Sequence, residues 1–343
     1  MQMALGNQQR HYDRLGLTEG VINVMEDGLR TNAAQGSFEW WYLDCHLDDG
    51  SKLIITFYTK PPNVAASRPL MPFVSFLLDR PDGTHVERAF LASPESFAAS
   101  REQCDVRVGN NTFVGDLKSY KVHVEIDDVM ADVELVSDFA PFRPATGHIF
   151  FGEKEELFVG WFPAVPKGRA HASLRVGDET MALSGTAYHD HNWGNTSLRK
   201  IVDHWYWARA CCGDYTVLAL MFVAAKSYGG EVITSFMLGK GGEMIAANEN
   251  KLEFVAGERS PHSETGILVN NHLSYRFQHN DDQFAVTFRR KQNLYTVDFA
   301  PGGAYMRFGG DVVLERRVGS VPKEKIDGDA VWELLYFGER SNS

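Results

Sequence analysis

Four cysteines, no long apolar run and no surplus of positive charge mark this 343-residue chain, and each shortage excludes a class of protein. Cys45, Cys104 and the neighbours Cys211 and Cys212 form neither a disulfide framework nor a Cys-x-x-Cys metal knuckle, so they read as buried thiols. No stretch reaches the roughly 20 uncharged apolar residues that a bilayer-crossing helix needs. Residues 1–17 lack the apolar centre of a secretion signal, so a cytoplasmic protein with no membrane span is expected. With 34 Lys+Arg against 45 Asp+Glu, the formal net charge of -11 opposes nucleic acid and anionic membrane surfaces as partners. Also missing are the Gly-x-Ser-x-Gly nucleophile elbow and the Gly-Lys-Ser/Thr phosphate loop. No long capped helical pattern occurs; Ser93 to Gln103, with Pro94 behind an N-cap at Ser93, is the best short helix candidate.

What is present is alternation with a period of two. In Lys121 to Ile126, Asp132 to Val136 and Phe284 to Phe288, apolar residues occupy every second position, the pattern of strands with one buried face. Similar runs at 53–58, 73–78, 157–162, 217–223, 232–238, 273–277, 294–299, 312–316 and 331–337 are separated by turn signals such as Asp49-Gly50, Gly229-Gly230 and Asp327-Gly328. Many short strands with frequent turns predict an all-β chain of barrels or sandwiches. A weak internal echo subdivides it. Trp40-Trp41-Tyr42-Leu43-Asp44-Cys45 is followed by Gly50 and an apolar strand, and Trp205-Tyr206-Trp207-Ala208-Arg209-Ala210-Cys211 by Gly213 and another. As a repeat this gives two β-domains: an N-terminal arm at 1–35, then domains at 36–199 and 200–343.

The chain is rich in aromatics, with 7 Trp, 12 Tyr and 22 Phe. Many of these fill cores, but flat apolar rings also line pockets for unsaturated ligands. The densest polar and aromatic run is Tyr188-His189-Asp190-His191-Asn192-Trp193, followed shortly by Asp203-His204-Trp205-Tyr206-Trp207. In an extended segment, His189, His191 and Trp193 share one face and Tyr188, Asp190 and Asn192 the other. An imidazole exchanges protons near neutral pH, and an indole face stabilises developing positive charge. The same residues could equally form a buried hydrogen-bond network that holds a strand in place. His-x-His offers two metal ligands on one face, but a third at close spacing is missing, so no metal is expected. A cofactor-free enzyme or a binding protein remains.

Gly36-Ser37-Phe38-Glu39-Trp40-Trp41-Tyr42, Tyr188-His189-Asp190-His191-Asn192-Trp193-Gly194 and Gly328-Asp329-Ala330-Val331-Trp332-Glu333 resemble the carotenoid 1,2-hydratase (hydroxyneurosporene synthase) superfamily. That superfamily also takes in AttH-like, kievitone hydratase-like and lipocalin-like Diels–Alderase proteins. The resemblance implies two lipocalin-like antiparallel β-barrel or sandwich domains packed together, with an apolar pocket in the first or at their junction. It further implies chemistry without a cofactor on a small hydrophobic unsaturated substrate, and association with enzymes of the same biosynthetic pathway. The family's hydratases place an Asp on the strand after the His-x-Trp motif, whereas Val217 to Ala225 carries no acid here, which weighs against carotenoid hydration. Cyclisation or isomerisation of a polyketide or isoprenoid intermediate is therefore expected, with hydration and a non-catalytic lipophile carrier as alternatives. In this scheme His191, Asp190 and Glu39 are catalytic, and Trp40, Trp41, Tyr188, His189, Trp193, Trp205, Trp207 and Arg209 hold the substrate.

Overall fold

The alternating runs become antiparallel strands in a computed structural model that describes residues 3–61, 68–247, 252–299 and 302–338. The chain divides into two units, Met1–Leu198 and Arg199–Ser343. The first contains β1 (Met3–Leu5), β2 (Phe38–Leu47), β3 (Lys52–Tyr58), β4 (Phe73–Asp79), β5 (His85–Leu91), β6 (Phe97–Ala99), β7 (Cys104–Val108), β8 (Asn111–Gly115), β9 (Ser119–Ile126), β10 (Val129–Ser137), β11 (His148–Phe151), β12 (Leu157–Val176) and β13 (Glu179–Gly194). They join in the order β5-β4-β3-β2-β13-β12-β10-β9-β8-β7-β6, with β1 and β11 as an added pair beside β12.

That order places the first long strand, β2, against the last, β13, with Trp41 opposite His191 and Glu39 opposite Trp193. The sheet curls, and its side chains record the closure. Arg88 on β5 holds Asp128 of the β9–β10 turn at 2.6 Å, and the Phe90 ring lies where a Cβ on Gly109 would meet it at 2.9 Å. Inward residues of every long strand, among them Leu43, Phe57, Phe76, Phe113, Val124 and Phe162, form one apolar core.

The second unit contains β14 (Val202–Cys212), β15 (Tyr215–Ala224), β16 (Val232–Lys240), β17 (Glu243–Ala247), β18 (Glu253–Ala256), β19 (Arg259–Pro261), β20 (Leu268–Asn270), β21 (His272–His279), β22 (Asp282–Asp298), β23 (Ala304–Val318) and β24 (Val321–Tyr336). Its sheet runs β17-β16-β15-β14-β24-β23-β22-β21-β18, and β19 and β20 form a separate ladder. Its own core includes Tyr206, Phe236, Tyr275, Phe308 and Trp332.

The fold is all-β and lipocalin-like, and two local expectations change. Ser93 to Gln103 is not a helix: Pro94–Ser96 makes one 3-10 turn, after which Phe97 to Ala99 pairs with β7. A strand partner outweighs a modest local helix preference there. Several strands are also longer than the apolar runs suggested. β12 spans 20 residues and β22 spans 17, because register shifts near Phe162 and Arg290 let each bend and continue past its irregularity. Among the described residues, no helix is long and apolar enough to cross a membrane.

Candidate active site

Alternation along β13 sorts its side chains as the sequence predicts. His189, His191 and Trp193 enter the interior of the first unit, while Tyr188, Asp190 and Asn192 lie on the outer face, where Asp190 collects its own partners.

On the inner face two imidazoles meet two carboxylates. The His191 Nε2 is 2.8 Å from Glu39 Oε1, which also accepts the backbone N–H of Arg30 at 2.5 Å, while Glu39 Oε2 accepts that of Thr31 at 2.7 Å. All three groups donate to Glu39, so it serves here as an acceptor that orients His191. The second carboxylate is Asp27. Its Oδ2 takes the Tyr120 hydroxyl at 2.6 Å and faces His189 Nε2 at 3.0 Å, and its Oδ1 lies 3.6 Å from His191 Nδ1. Since His189 Nδ1 is 2.9 Å from the carbonyl of Tyr42, which can only accept, both nitrogens of His189 are placed to donate. Burial alone would lower its pKa, but Asp27 and the Tyr42 carbonyl outweigh burial, and the pKa lies above the usual histidine value. Both histidines, Asp27 and Glu39 are buried.

Aromatic rings enclose this group. Trp41 stacks on His191 with centroids 4.6 Å apart and planes 17° apart, Trp193 tilts against it at 4.9 Å, and Tyr120 and Phe113 contact His189 at 4.6 and 4.7 Å. The Trp193 indole fits because Gly160 is opposite: a Cβ there would fall 2.2 Å from Trp193 Cε2. Its N–H donates to His148 Nε2 at 3.1 Å. His148 Nδ1 is 2.8 Å from the Thr146 carbonyl, and burial pushes its pKa down to about 4. Two buried polar atoms facing this interior, His191 Nδ1 and Asp27 Oδ1, have no hydrogen-bond partner among the described residues.

The outer face is a separate arrangement. Asp190 accepts from Trp161 Nε1 at 2.9 Å, from the Tyr188 hydroxyl at 2.7 Å and from Asn192 at 2.8 Å. Burial exceeds the effect of those bonds and raises its pKa to about 6. Asp190 therefore does not join His191 and Glu39. Trp40 lies outside as well, stacked on Phe38 at 5.1 Å. Trp205, Trp207 and Arg209 belong to β14 of the second unit, on the face opposite its core residues Tyr206, Ala208 and Ala210. Trp205 stacks on Phe222 at 6.3 Å.

As site residues, Asp27, Tyr120, Cys104, His148 and Trp161 escaped the sequence reading. Asp27 ends the 3-10 turn Val24–Asp27 within the arm, which has no periodicity. A usable signal was Asn23-x-x-Glu26, a capping-box pattern that the structure realises, with Asn23 N–H donating to Glu26 at 2.9 Å. Glu26 in turn holds Arg143 at 2.6 Å, which fixes the turn against the barrel. Asp27, Cys104 and His189 bring three potential metal ligands within 4.8 Å of one another. Yet the His189 nitrogens are spent on Tyr42 and Asp27, and burial and Asp27 hold the Cys104 thiol pKa well above its usual value. The donor set fits a proton network rather than a cation.

Comparison with known proteins gives one picture. Residues 30–256 match the family model described as Diels-Alderase-like. A protein from Chlorobaculum tepidum named hydroxyneurosporene dehydrogenase is 25% identical over 301 residues, covering 75% of this chain and 78% of its own. Among solved structures, CghA with Sch210972 superposes with a TM-score of 0.67 at 14% identity, covering 88% of this chain and 89% of its own. Kievitone hydratase from Nectria haematococca does so at 0.58 and 17% identity, covering 93% of each.

Proposed function

The chain belongs to the Diels-Alderase-like family, and on that footing we propose that it is a cofactor-independent enzyme that folds a bulky, apolar, unsaturated natural-product intermediate and steers its cyclisation or isomerisation. The supporting observation is His191: an imidazole oriented by Glu39, sandwiched by Trp41 and Trp193, with Nδ1 buried and unpartnered beside Asp27. With Nε2 donating to Glu39, Nδ1 donates only from the protonated ring, and a substrate carbonyl brought against it in that form would receive a hydrogen bond that draws electron density from a conjugated alkene. The indole faces would hold the chain in a reactive conformation, an effect of proximity and electrostatic preorganisation that needs no redox or metal group. His189 and Asp27 would keep the proton inventory beside it, so that His191 can donate without a net change of charge in a dry interior. Asp190, with its raised pKa, is the alternative proton donor on the outer face, where Trp40 and Tyr188 would contact substrate. Within the second unit, Trp205, Trp207 and Arg209 share one face of β14 that would hold an apolar ligand.

Hydration is the second reading, favoured by the structural likeness to a hydratase. In it Asp190 protonates an alkene, Trp161 shelters the cation and water adds. We place the enzyme in the cytoplasm beside the enzymes that supply its substrate, with the arm 1–35 and residues 36–199 as the catalytic part and 200–343 as its companion domain.

The test is incubation of the purified protein with linear polyenes bearing a conjugated carbonyl, in water enriched in oxygen-18. A product of unchanged mass with one more ring, formed faster than without protein, is expected. Incorporation of one labelled oxygen would replace cyclisation by hydration, and return of unaltered substrate from a tight complex would leave only carriage.

A further inference from the structure

Among its described residues the second unit has no pair of imidazoles and carboxylates in its interior, but it holds hydrogen-bond donors without acceptors. The Tyr275 hydroxyl, Trp332 Nε1 and His262 Nε2 are buried and have no partner among the described residues. Each is a donor. The backbone N–H of Thr265 points to His262 Nδ1 at 3.4 Å, so the ring hydrogen resides on Nε2. Burial lowers the pKa of His262.

Rings of one core connect them. Trp332 packs on Phe308 at 4.7 Å, Phe308 faces His262 at 6.0 Å, and Trp332 contacts Tyr206 at 5.7 Å. Tyr275 packs on Phe236 of the same core at 5.6 Å. Tyr206 itself is satisfied, donating to Asn270 at 2.8 Å. Across the sheet, the inward row through Trp332 reads Phe308, Trp332, Ala208, Ala219 and Phe236 on five adjacent strands. Two alanines, Ala208 and Ala219, follow the indole in that row. A dry interior normally pairs its polar groups, and three donors left over in one interior call for an acceptor.

The geometry points to a second binding site inside the 199–343 unit, for an uncharged lipophile whose carbonyl or lactone oxygens accept from Tyr275, Trp332 and His262. This site is separate from the His191 group and requires no reaction there. Ligand selection would follow from the excess of donors: among the described residues the interior offers these three N–H or O–H groups, of which only the Tyr275 hydroxyl can also accept.

Duroquinone is a suitable probe, since it is apolar, carries two carbonyl oxygens and no donor, and has no free ring position for thiol addition. Calorimetric titration of the full chain should give one site that durene, the same methylated ring without oxygens, fills at least about tenfold more weakly. Tyr275→Phe and Trp332→Phe should each weaken duroquinone binding about five- to tenfold, the loss expected for one hydrogen bond. Each should also raise the melting temperature of the unliganded protein, because an unpaired buried donor is gone. His191→Gln should change the affinity less than twofold. Equal binding of durene, undiminished affinity in both phenylalanine variants, loss of binding in His191→Gln, or no binding to the wild-type chain would each overturn the assignment. The two variants remove different donors, so either one that folds is sufficient.

Discussion

In the first unit a meander of four strands, β2 to β5, starts from the strand that pairs with that unit's last, β13; in the second, β14 to β17 starts from the strand that pairs with β24. The aromatic strands Phe38–Leu47 and Val202–Cys212 hold the same place in each plan. Their interiors differ in kind. One is crossed by carboxylate–imidazole contacts at 2.8 and 3.0 Å, and the other has three orphan donors, with the Arg290 guanidinium over its Phe308 ring at 5.5 Å. The strand plan alone does not decide this, because the decisive acid, Asp27, arrives from the arm rather than from the sheet. One architecture can hold a proton-handling centre or a donor-rich binding interior, according to what is inserted into it.

If the first interior is chemical and the second is not, His191→Gln should reduce turnover about 10³-fold, within the range for a lost acid–base or hydrogen-bonding group, while Trp332→Phe leaves kcat within a factor of two. Steady-state kinetics on one substrate check both, and equal losses would erase the distinction. Asp27→Asn should cost about 3 kcal/mol in urea unfolding, because it strands His189 and weakens the anchor of Tyr120. Removing either partner of the exposed Lys121–Glu134 pair should cost well under about 1 kcal/mol.

Acid should also act on the first unit. His148, lowered to about 4, takes up its proton in the unfolded chain first, so its contribution is intact above about pH 6.5 and is lost as pH falls from there towards 4. It amounts to at most about 3 kcal/mol. Asp190, raised to about 6, works in the opposite sense: the folded form holds its proton more tightly, which favours folding below about pH 4, and this contribution is lost as pH rises through 6. His148→Gln should therefore flatten the acid limb of a stability–pH curve, while Asp190→Asn should steepen it. A further effect is steric. Gly160→Ala should cost about 2 kcal/mol by displacing the Trp193 indole, read as a lower melting temperature with a shift in tryptophan emission.

Much of the fold was legible because burial on one side of a strand imposes a period of two, and the sorting of His189, His191 and Trp193 from Tyr188, Asp190 and Asn192 followed from the same rule. The pairing of His191 with Glu39 was open to inference only as far as the repeat placed β2 as a first strand. Asp27 was not legible. A single 3-10 turn has no periodicity, and its partners Tyr120 and His189 lie 93 and 162 positions away. The grouping of Asp190 with His191 failed for a plain reason: adjacent strand residues point to opposite faces.

The contact between Asp27 and His189 also dictates a timetable. At ribosomal rates of about 5–20 residues per second, Asp27 emerges roughly 8–30 s before the histidine that will neutralise it, and Glu39 waits similarly for His191. During that interval both acids remain hydrated and the curled sheet lacks its closing strand, so this interior cannot form piecemeal. It comes into being in a single late event, when β13 slots in beside β2, and any lesion that delays β13 would leave a nascent chain with an open, apolar edge exposed to its neighbours.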